Sequence, residues 1–126
     1  MLVLDSGAVS HLAERSRQAA ALMLALRAHD LWPPVVPTVV LVECLQGYAA
    51  RDAKANRFLK TCGVDEEVEE TVARRAALLR RKAARGSAVD ALVVALAEPG
   101  GTVLSADLRD LRALATHAHR VRIERV

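Results

Sequence analysis

The chain opens with a short apolar run that ends at an acidic residue and a turn, Leu2-Val3-Leu4-Asp5-Ser6-Gly7 (residues 2–7). A second segment of similar pattern is Thr102-Val103-Leu104-Ser105-Ala106-Asp107 (residues 102–107). Both patterns predict short, buried strands that are followed by acidic residues. Because α/β sheets gather their ligand sites at the carboxyl ends of strands, these two segments indicate where a functional site lies.

Helical patterns separate these strands from weaker ones. We expect helices after Gly7, from a Ser16 cap to about Ala28, from Val39 to about Ala49 after a Thr38 cap, from Asp52 to Thr61, from Asp65 to about Arg85, from a Ser87 cap to Pro99, and from Leu108 to Thr116. The weaker strands are Val35-Val36, Cys62 to Val64, and an edge strand from Val121 to Val126. This alternation predicts one three-layer α/β domain over residues 1–126, with a central, mainly parallel sheet flanked by helices.

Composition favours a cytoplasmic protein. At 126 residues and 52% hydrophobic content, the chain can bury a core without disulfides. Cys44 and Cys62 are too few for a zinc motif or a disulfide framework, which favours reduced thiols. We expect no signal peptide, since Asp5 interrupts the apolar start, and no membrane span, since the longest uncharged run (residues 31–42) is short and contains three prolines.

Four carboxylates stand alone in stretches that otherwise look buried: Asp5, Glu43, Asp90 and Asp107. Each is the only Asp, Glu, Lys or Arg within a window of at least ten residues. Burying an unpaired carboxylate costs several kcal/mol, roughly, unless something compensates its charge. We expect Asp5 and Asp107 at strand ends, and Glu43 and Asp90 near the starts of helices, where the dipole tolerates an anion.

Four such groups brought together would repel one another unless a cation is bound. All the ligands in this set are oxygens, which favours Mg²⁺ or Mn²⁺ over Zn²⁺. A cation held this way keeps several waters, one of which can attack a phosphodiester. The sequence therefore predicts a catalytic metal site at these four residues.

Purely structural roles are the alternative for most of these residues. Asp5 is placed to cap the following helix, Asp90 to form a capping box with Ser87, and Asp107 to cap a helix that has Asp110 in its first turn. Glu43 has no capping role in the middle of a helix.

Three neighbouring polar residues are candidates for a second layer around the metal ligands: Ser6, Ser105 and Asp110. The two serines follow or end strands, where they can bind a ligand or water but also form turns. Asp110 lies about one helical turn after Asp107. Both kinds of role stay open for each of them.

The four acidic motifs resemble, in order, those of the VapC-type PIN-domain ribonuclease toxins. The resemblance covers essentially the whole chain and rests on the opening strand with Asp5 (residues 2–8), the Glu43 helix that ends with Gly47 (residues 42–47), the Asp90 helix start (residues 89–95), and the strand before Asp107 (residues 103–107). The chain departs from the family in having Leu111 where a Phe is frequent, and Val94 where some members carry a further Asp. The second departure leaves open whether one or two metal ions bind.

The resemblance implies a cytoplasmic endoribonuclease that depends on Mg²⁺ or Mn²⁺ and cleaves RNA, often at tRNA or ribosomal RNA loops. It also implies a homodimer and a cognate antitoxin that covers the acidic pocket. Two other interpretations stay open: a housekeeping PIN nuclease that acts in RNA maturation or decay, and a catalytically silent α/β binding module with structural metal.

Positive charge is concentrated in the second half of the chain, where eleven of the eighteen Lys and Arg residues follow Ala73. The net charge of +3 would support nucleic-acid binding only if this charge is segregated on one surface. At helical spacing Arg74, Arg81 and Arg85 share a stripe, which we predict to contact RNA. A solvated helix face is the alternative interpretation.

Overall fold

Five strands and seven helices alternate along the computed structural model, which describes all 126 residues. The strands are β1 (Leu2–Leu4), β2 (Val35–Pro37), β3 (Gly63–Asp65), β4 (Thr102–Ser105) and β5 (Arg122–Arg125). The helices are α1 (Ser6–Ala13), α2 (Arg17–Ala28), α3 (Thr38–Cys44), α4 (Ala49–Leu59), α5 (Glu70–Ala83), α6 (Ala88–Ala97) and α7 (Arg109–Ala115). None of these helices combines the length and apolar character that crossing a bilayer would require.

The strands form one sheet in the order β3-β2-β1-β4-β5, and every neighbouring pair is parallel. From β1 the chain adds β2 and β3 on one side, and it then returns to add β4 and β5 on the other. The order therefore reverses between β1 and β4. In open α/β sheets a crevice forms at the carboxyl ends of the strands at this switch point, and ligands bind there.

Helices cover both faces of the sheet. All three residues of β1 are buried, and successive side chains of a strand point to opposite faces. The helices form two groups, α1 to α4 and α5 to α7. One helix of each group, α1 in the first and α6 in the second, contacts both β1 and β4. The prediction of a three-layer α/β fold is confirmed, with a sheet that is wholly rather than mainly parallel.

Three helix boundaries were predicted wrongly, among them the start of α4, which lies at Ala49 instead of Asp52. The helix α3 ends at Cys44 instead of near Ala49, because the next residues form a loop in which Gly47 has a φ of +73°. The helix α5 begins at Glu70 instead of Asp65, because Asp65 pairs with Pro37 of β2 as the last residue of β3. Thr38 is the first residue of α3 and provides no side-chain cap.

Candidate active site

Asp5 follows β1 and is the N-cap of α1. Its Oδ1 accepts a hydrogen bond of 2.7 Å from the backbone N–H of Ala8, so the predicted capping role is confirmed. Partial burial raises the pKa of Asp5 above its usual range, and the negative charge of Asp90 raises it further. The N-cap hydrogen bond therefore does not fully offset the cost of burying the charged form of Asp5.

The turn after β4 packs against the turn after β1. A Cβ atom at Gly7 would lie only 3.0 Å from the Cβ of Ala106, so the glycine permits this close approach. The hydroxyl of Ser105, which is fully buried, donates to the carbonyl of Asp107 at 2.7 Å and accepts from its N–H at 2.9 Å. The two strand ends that the sequence identifies are thus adjacent in space.

The hydroxyl of Ser105 also lies near Asp5 and partly offsets the rise in the pKa of that carboxyl. Since the hydroxyl carries a single proton and the carbonyl of Asp107 receives it, we assign its main role to shaping the Asp107 turn. Asp107 itself is exposed, and its Oδ1 accepts from the N–H of Arg109 at 3.2 Å. The N-cap of α7 is Leu108, so Asp107 supports the start of this helix from one residue further out.

Glu43 is located differently from the prediction. It is the penultimate residue of α3 instead of lying near a helix start, and its side chain is exposed. The carboxyl end of a helix carries a partial negative charge, which disfavours an anion. Partial desolvation raises the pKa of Glu43, and the charges of Asp90 and Asp5 raise it further.

Asp90 forms the capping box predicted at the start of α6. The N–H of Ser87 donates to Oδ2 of Asp90 at 3.0 Å, and the N–H of Asp90 donates to the hydroxyl of Ser87 at 3.0 Å. This motif uses one of the two carboxylate oxygens. Because the charge of Asp90 raises the pKa of both Asp5 and Glu43, these three carboxylates lie within electrostatic range of one another. The charge of Asp107 does not contribute to the pKa shift of Asp5 or Glu43.

No basic side chain neutralises this group. None of the four ion pairs in the structure involves Asp5, Glu43, Asp90 or Asp107. As the side chains stand, no three acidic, His or Cys groups lie close enough to share one metal ion. An oxygen-only donor set is what Mg²⁺ or Mn²⁺ requires, and the mutual repulsion of these carboxylates favours a bound cation. The residues therefore fit a divalent cation in charge and donor type.

The other sequence candidates fall into two locations. Ser6 is the first residue of α1, next to Asp5. Asp110 forms an ion pair with Arg85 at 2.9 Å and does not raise the pKa of Asp5 or Glu43.

The predicted stripe of arginines is interrupted, because α5 ends at Ala83 and Arg85 is therefore not on the helix. Arg74 forms an exposed ion pair with Glu70 at 2.8 Å.

One carboxylate near the site escaped the sequence analysis. Asp52 is 5% exposed and accepts hydrogen bonds from the N–H groups of Gln46 at 2.9 Å and Tyr48 at 3.1 Å. We expected it to begin a helix, whereas it lies in the first turn of α4, four residues after Tyr48. An acidic residue at the start of a helix and just after a glycine-containing loop is the signal that identifies such a contact.

The family model of the PIN domain matches residues 2–116 of the chain. A chain of the solved structure described as VapBC2 from Rickettsia felis bound to a DNA fragment from their promoter is similar in fold, with a TM-score of 0.72. The two chains are 11% identical, and the likeness covers 99% of this chain and 98% of the other. No curated protein matches. PIN domains are nucleases that act on RNA. Since the family model spans nearly all of the sequence, the chain belongs to the PIN domain family.

Proposed function

We propose that this chain is a metal-dependent endoribonuclease of the VapC type, the toxin of a toxin–antitoxin pair, with residues 1–126 acting as one nuclease domain. One observation carries the proposal. Asp5, Glu43 and Asp90 lie near the switch point of the sheet, the charge of Asp90 raises the pKa of both Asp5 and Glu43, and none of the three has a basic partner. A cluster of this kind is unfavourable for the fold alone and favourable for binding a cation.

Asp5, Glu43, Asp90 and Asp107 are the residues that would hold Mg²⁺ or Mn²⁺. When bound, the cation would lower the pKa of a water and offset the charge of the scissile phosphodiester. The protein keeps the ligands in place: the capping box orients Asp90, the N-cap bond orients Asp5, and Ser105 shapes the Asp107 turn. Ser6 and Asp110 are second-layer candidates, and the ion pair of Asp110 with Arg85 ties it to the basic surface.

RNA would approach along the basic end of α5. A cavity of about 450 Å³ is lined by Arg80, Arg81 and Arg85, together with small residues that include Gly86. Gly86 is four residues from Asp90, a separation of at most about 14 Å for an extended chain. A phosphate held by these arginines would therefore lie close to the acidic group. The RNA contact that we infer is this cavity, with Arg81 and Arg85 retained from the stripe and Arg80 replacing Arg74.

Salt-dependent binding of RNA to a catalytically inactive variant tests this cavity. Replacing Arg81 and Arg85 with Ala should weaken binding and flatten its dependence on salt, because fewer counterions are released. The matched control, Arg57→Ala with Lys60→Ala, removes the same charge from exposed positions at the carboxyl end of α4 and should change binding less. Equal effects of the two double variants would show that the arginines of this cavity are solvated surface charges that make no specific contact with RNA.

The VapBC2 likeness supports an antitoxin as the protein partner. A homodimer as the assembled form is what the resemblance to the VapC-type toxins implies. Two exposed apolar side chains flank Glu43 in the sequence: Val42, which is 82% exposed, and Tyr48, which is 63% exposed. A partner that buries them would also cover Glu43, consistent with an antitoxin that closes the acidic pocket. The proposal places the enzyme in the cytoplasm, with a tRNA or ribosomal RNA as substrate.

Cleavage of mixed cellular RNA with and without Mg²⁺ or Mn²⁺ tests the activity. Asp5→Asn and Asp90→Asn should each lower the rate by about 100-fold or more, since they remove a metal ligand and not core volume. Asp30→Asn is the matched control, because Asp30 follows α2 in the left-handed region that Asn also adopts. Wild-type rates in both site variants would contradict the assignment.

Absence of cleavage by the wild type under all conditions would favour the silent binding module. Robust cleavage without an effect of any co-encoded small protein would favour the housekeeping nuclease. Sequencing of RNA ends after brief induction in a host without the antitoxin would identify the target.

A further inference from the structure

Helix α3 packs against α1 and β2, so the position of Glu43 at its end depends on this packing and on the loop that follows. The helix has seven residues, of which only Val40 is buried, and it carries no side-chain cap at its start. Glu43 lies one residue before its end and is exposed. A short helix of this kind depends on its connections for its position.

The loop after α3 is held by Asp52. Its Oδ1 accepts the N–H of Gln46 at 2.9 Å, its Oδ2 accepts the N–H of Tyr48 at 3.1 Å, and its own N–H donates to the carbonyl of Tyr48 at 2.9 Å. Asp52 has no Lys or Arg partner in an ion pair. Backbone N–H groups of the loop therefore compensate a buried carboxylate, and they lower its pKa.

The helix that carries Asp52 leads back to the other site residues. The helix α4 packs against α1. The helix α1 begins at Asp5, its N-cap. A continuous set of contacts thus runs from the loop behind Glu43 through Asp52 to the helix that starts at Asp5.

From these contacts we propose that Asp52 is a positioning residue for the active site: by holding the loop at Gln46 and Tyr48, it sets the position of Glu43 relative to Asp5. This role rests on the proposed function. Asp52 contacts neither metal nor RNA and acts only through Glu43.

A double-mutant cycle between Asp52 and Glu43 tests the proposal. Asp52→Asn keeps the shape of the side chain but replaces one acceptor with a donor. It should lower kcat at limiting Mn²⁺ by about 10-fold to 100-fold, the range for residues that orient metal ligands, with KM for RNA nearly unchanged. In a Glu43→Gln background the same substitution should have almost no further effect on kcat, because the residue that it positions has lost its charge.

Gly47→Ala perturbs the same loop without touching Asp52. A Cβ at Gly47 would meet no atom within 4 Å, so only the strain of a φ of +73° acts. It should shift the Mn²⁺ dependence in the same direction as Asp52→Asn. Lys54→Ala is the control, because it lies on the same helix and leaves the loop contacts intact.

Thermal stabilisation by Mn²⁺ supplies a readout besides activity. Asp52→Asn and Gly47→Ala should both raise the Mn²⁺ concentration needed for half-maximal stabilisation, while Lys54→Ala should not. Losses of kcat that are additive with Glu43→Gln, or an unchanged Mn²⁺ requirement in both loop variants, would overturn the positioning role. Full activity of Glu43→Gln itself would instead overturn the proposed site, and the positioning role with it.

Discussion

The two ends of the parallel sheet hold carboxylates in opposite ways. Glu98 follows α6 and precedes β4, and its side chain is only 10% exposed. Hydrogen-bond donors nevertheless surround its carboxylate. Arg75 donates to its two oxygens at 2.8 Å each, and the N–H of His119 donates at 2.8 Å. These contacts lower the pKa of Glu98. The pKa of Asp5, at the carboxyl end of β1, is instead raised by partial burial and by the charge of Asp90.

We interpret this difference as one between structural carboxylates and the carboxylates of the proposed metal site. Glu98 and Asp52 receive enough hydrogen-bond donors to favour their charged forms, and neither would bind the metal. Carboxylates reserved for a ligand remain undercompensated until the ligand arrives. Two of the proposed metal ligands, Asp5 and Glu43, instead have raised pKa values, and Glu43 has one although its side chain is exposed.

The largest effect on stability is expected for the ion pair between Arg75 and Glu98. Arg75→Ala would leave Glu98 largely buried with a single remaining donor, and should lower the free energy of unfolding by about 2 kcal/mol. Adjacent Arg74→Ala removes an exposed ion pair and should cost less than about 0.5 kcal/mol. Urea unfolding at pH 7 measures both. Equal losses would show that Arg75 contributes no more than a surface charge.

The loop residue Asp52 should show the pH dependence of a compensated acid. Because its pKa is lower in the folded state than the ordinary value of 3.8, its stabilising contribution is present above that value and is lost as the pH falls through the folded-state pKa. Asp52→Asn should therefore lower Tm at pH 7, and the difference from wild type should shrink below about pH 4. A difference that is constant from pH 7 to pH 3 would contradict this account.

The smallest effect on stability among the site residues is expected for Asp5→Asn, and the sign of that effect tests the account. A raised pKa means that charging Asp5 destabilises the folded state as the pH rises through the window above 3.8. Without metal, Asp5→Asn removes this charge and keeps an N-cap acceptor, so it should raise the free energy of unfolding by about 0.5 kcal/mol. Asp5→Ala loses the cap and should lower it by about 1 kcal/mol. A lower stability of Asp5→Asn in metal-free buffer would argue that Asp5 is a purely structural cap.

The sequence allowed the sheet to be predicted because local patterns determine it. Apolar runs that end in turns identified β1 and β4, and their acidic ends lie side by side because the strands are parallel neighbours. The caps at Asp5, Ser16 and Ser87 could be predicted for the same reason, since a cap involves residues three positions apart.

Contacts between distant residues could not be predicted in this way. Glu98 resembled an ordinary helix end, and its partner Arg75 lies 23 positions earlier. The prediction that Glu43 lies near a helix start failed because the loop contacts of Asp52 replace the last turn expected for α3. The arginine stripe was interrupted because Ala84 adopts a left-handed conformation that ends α5 before Arg85.

Direct titration with Mn²⁺, followed by calorimetry or electron paramagnetic resonance, tests the central claim that the undercompensated carboxylates form a metal site. The wild type should bind Mn²⁺, and Asp5→Asn, Glu43→Gln and Asp90→Asn should each weaken that binding by about 10-fold or more. Glu98→Gln, at the opposite end of the sheet, should bind Mn²⁺ as the wild type does. Equal Mn²⁺ binding by the three site variants and the wild type would contradict the account.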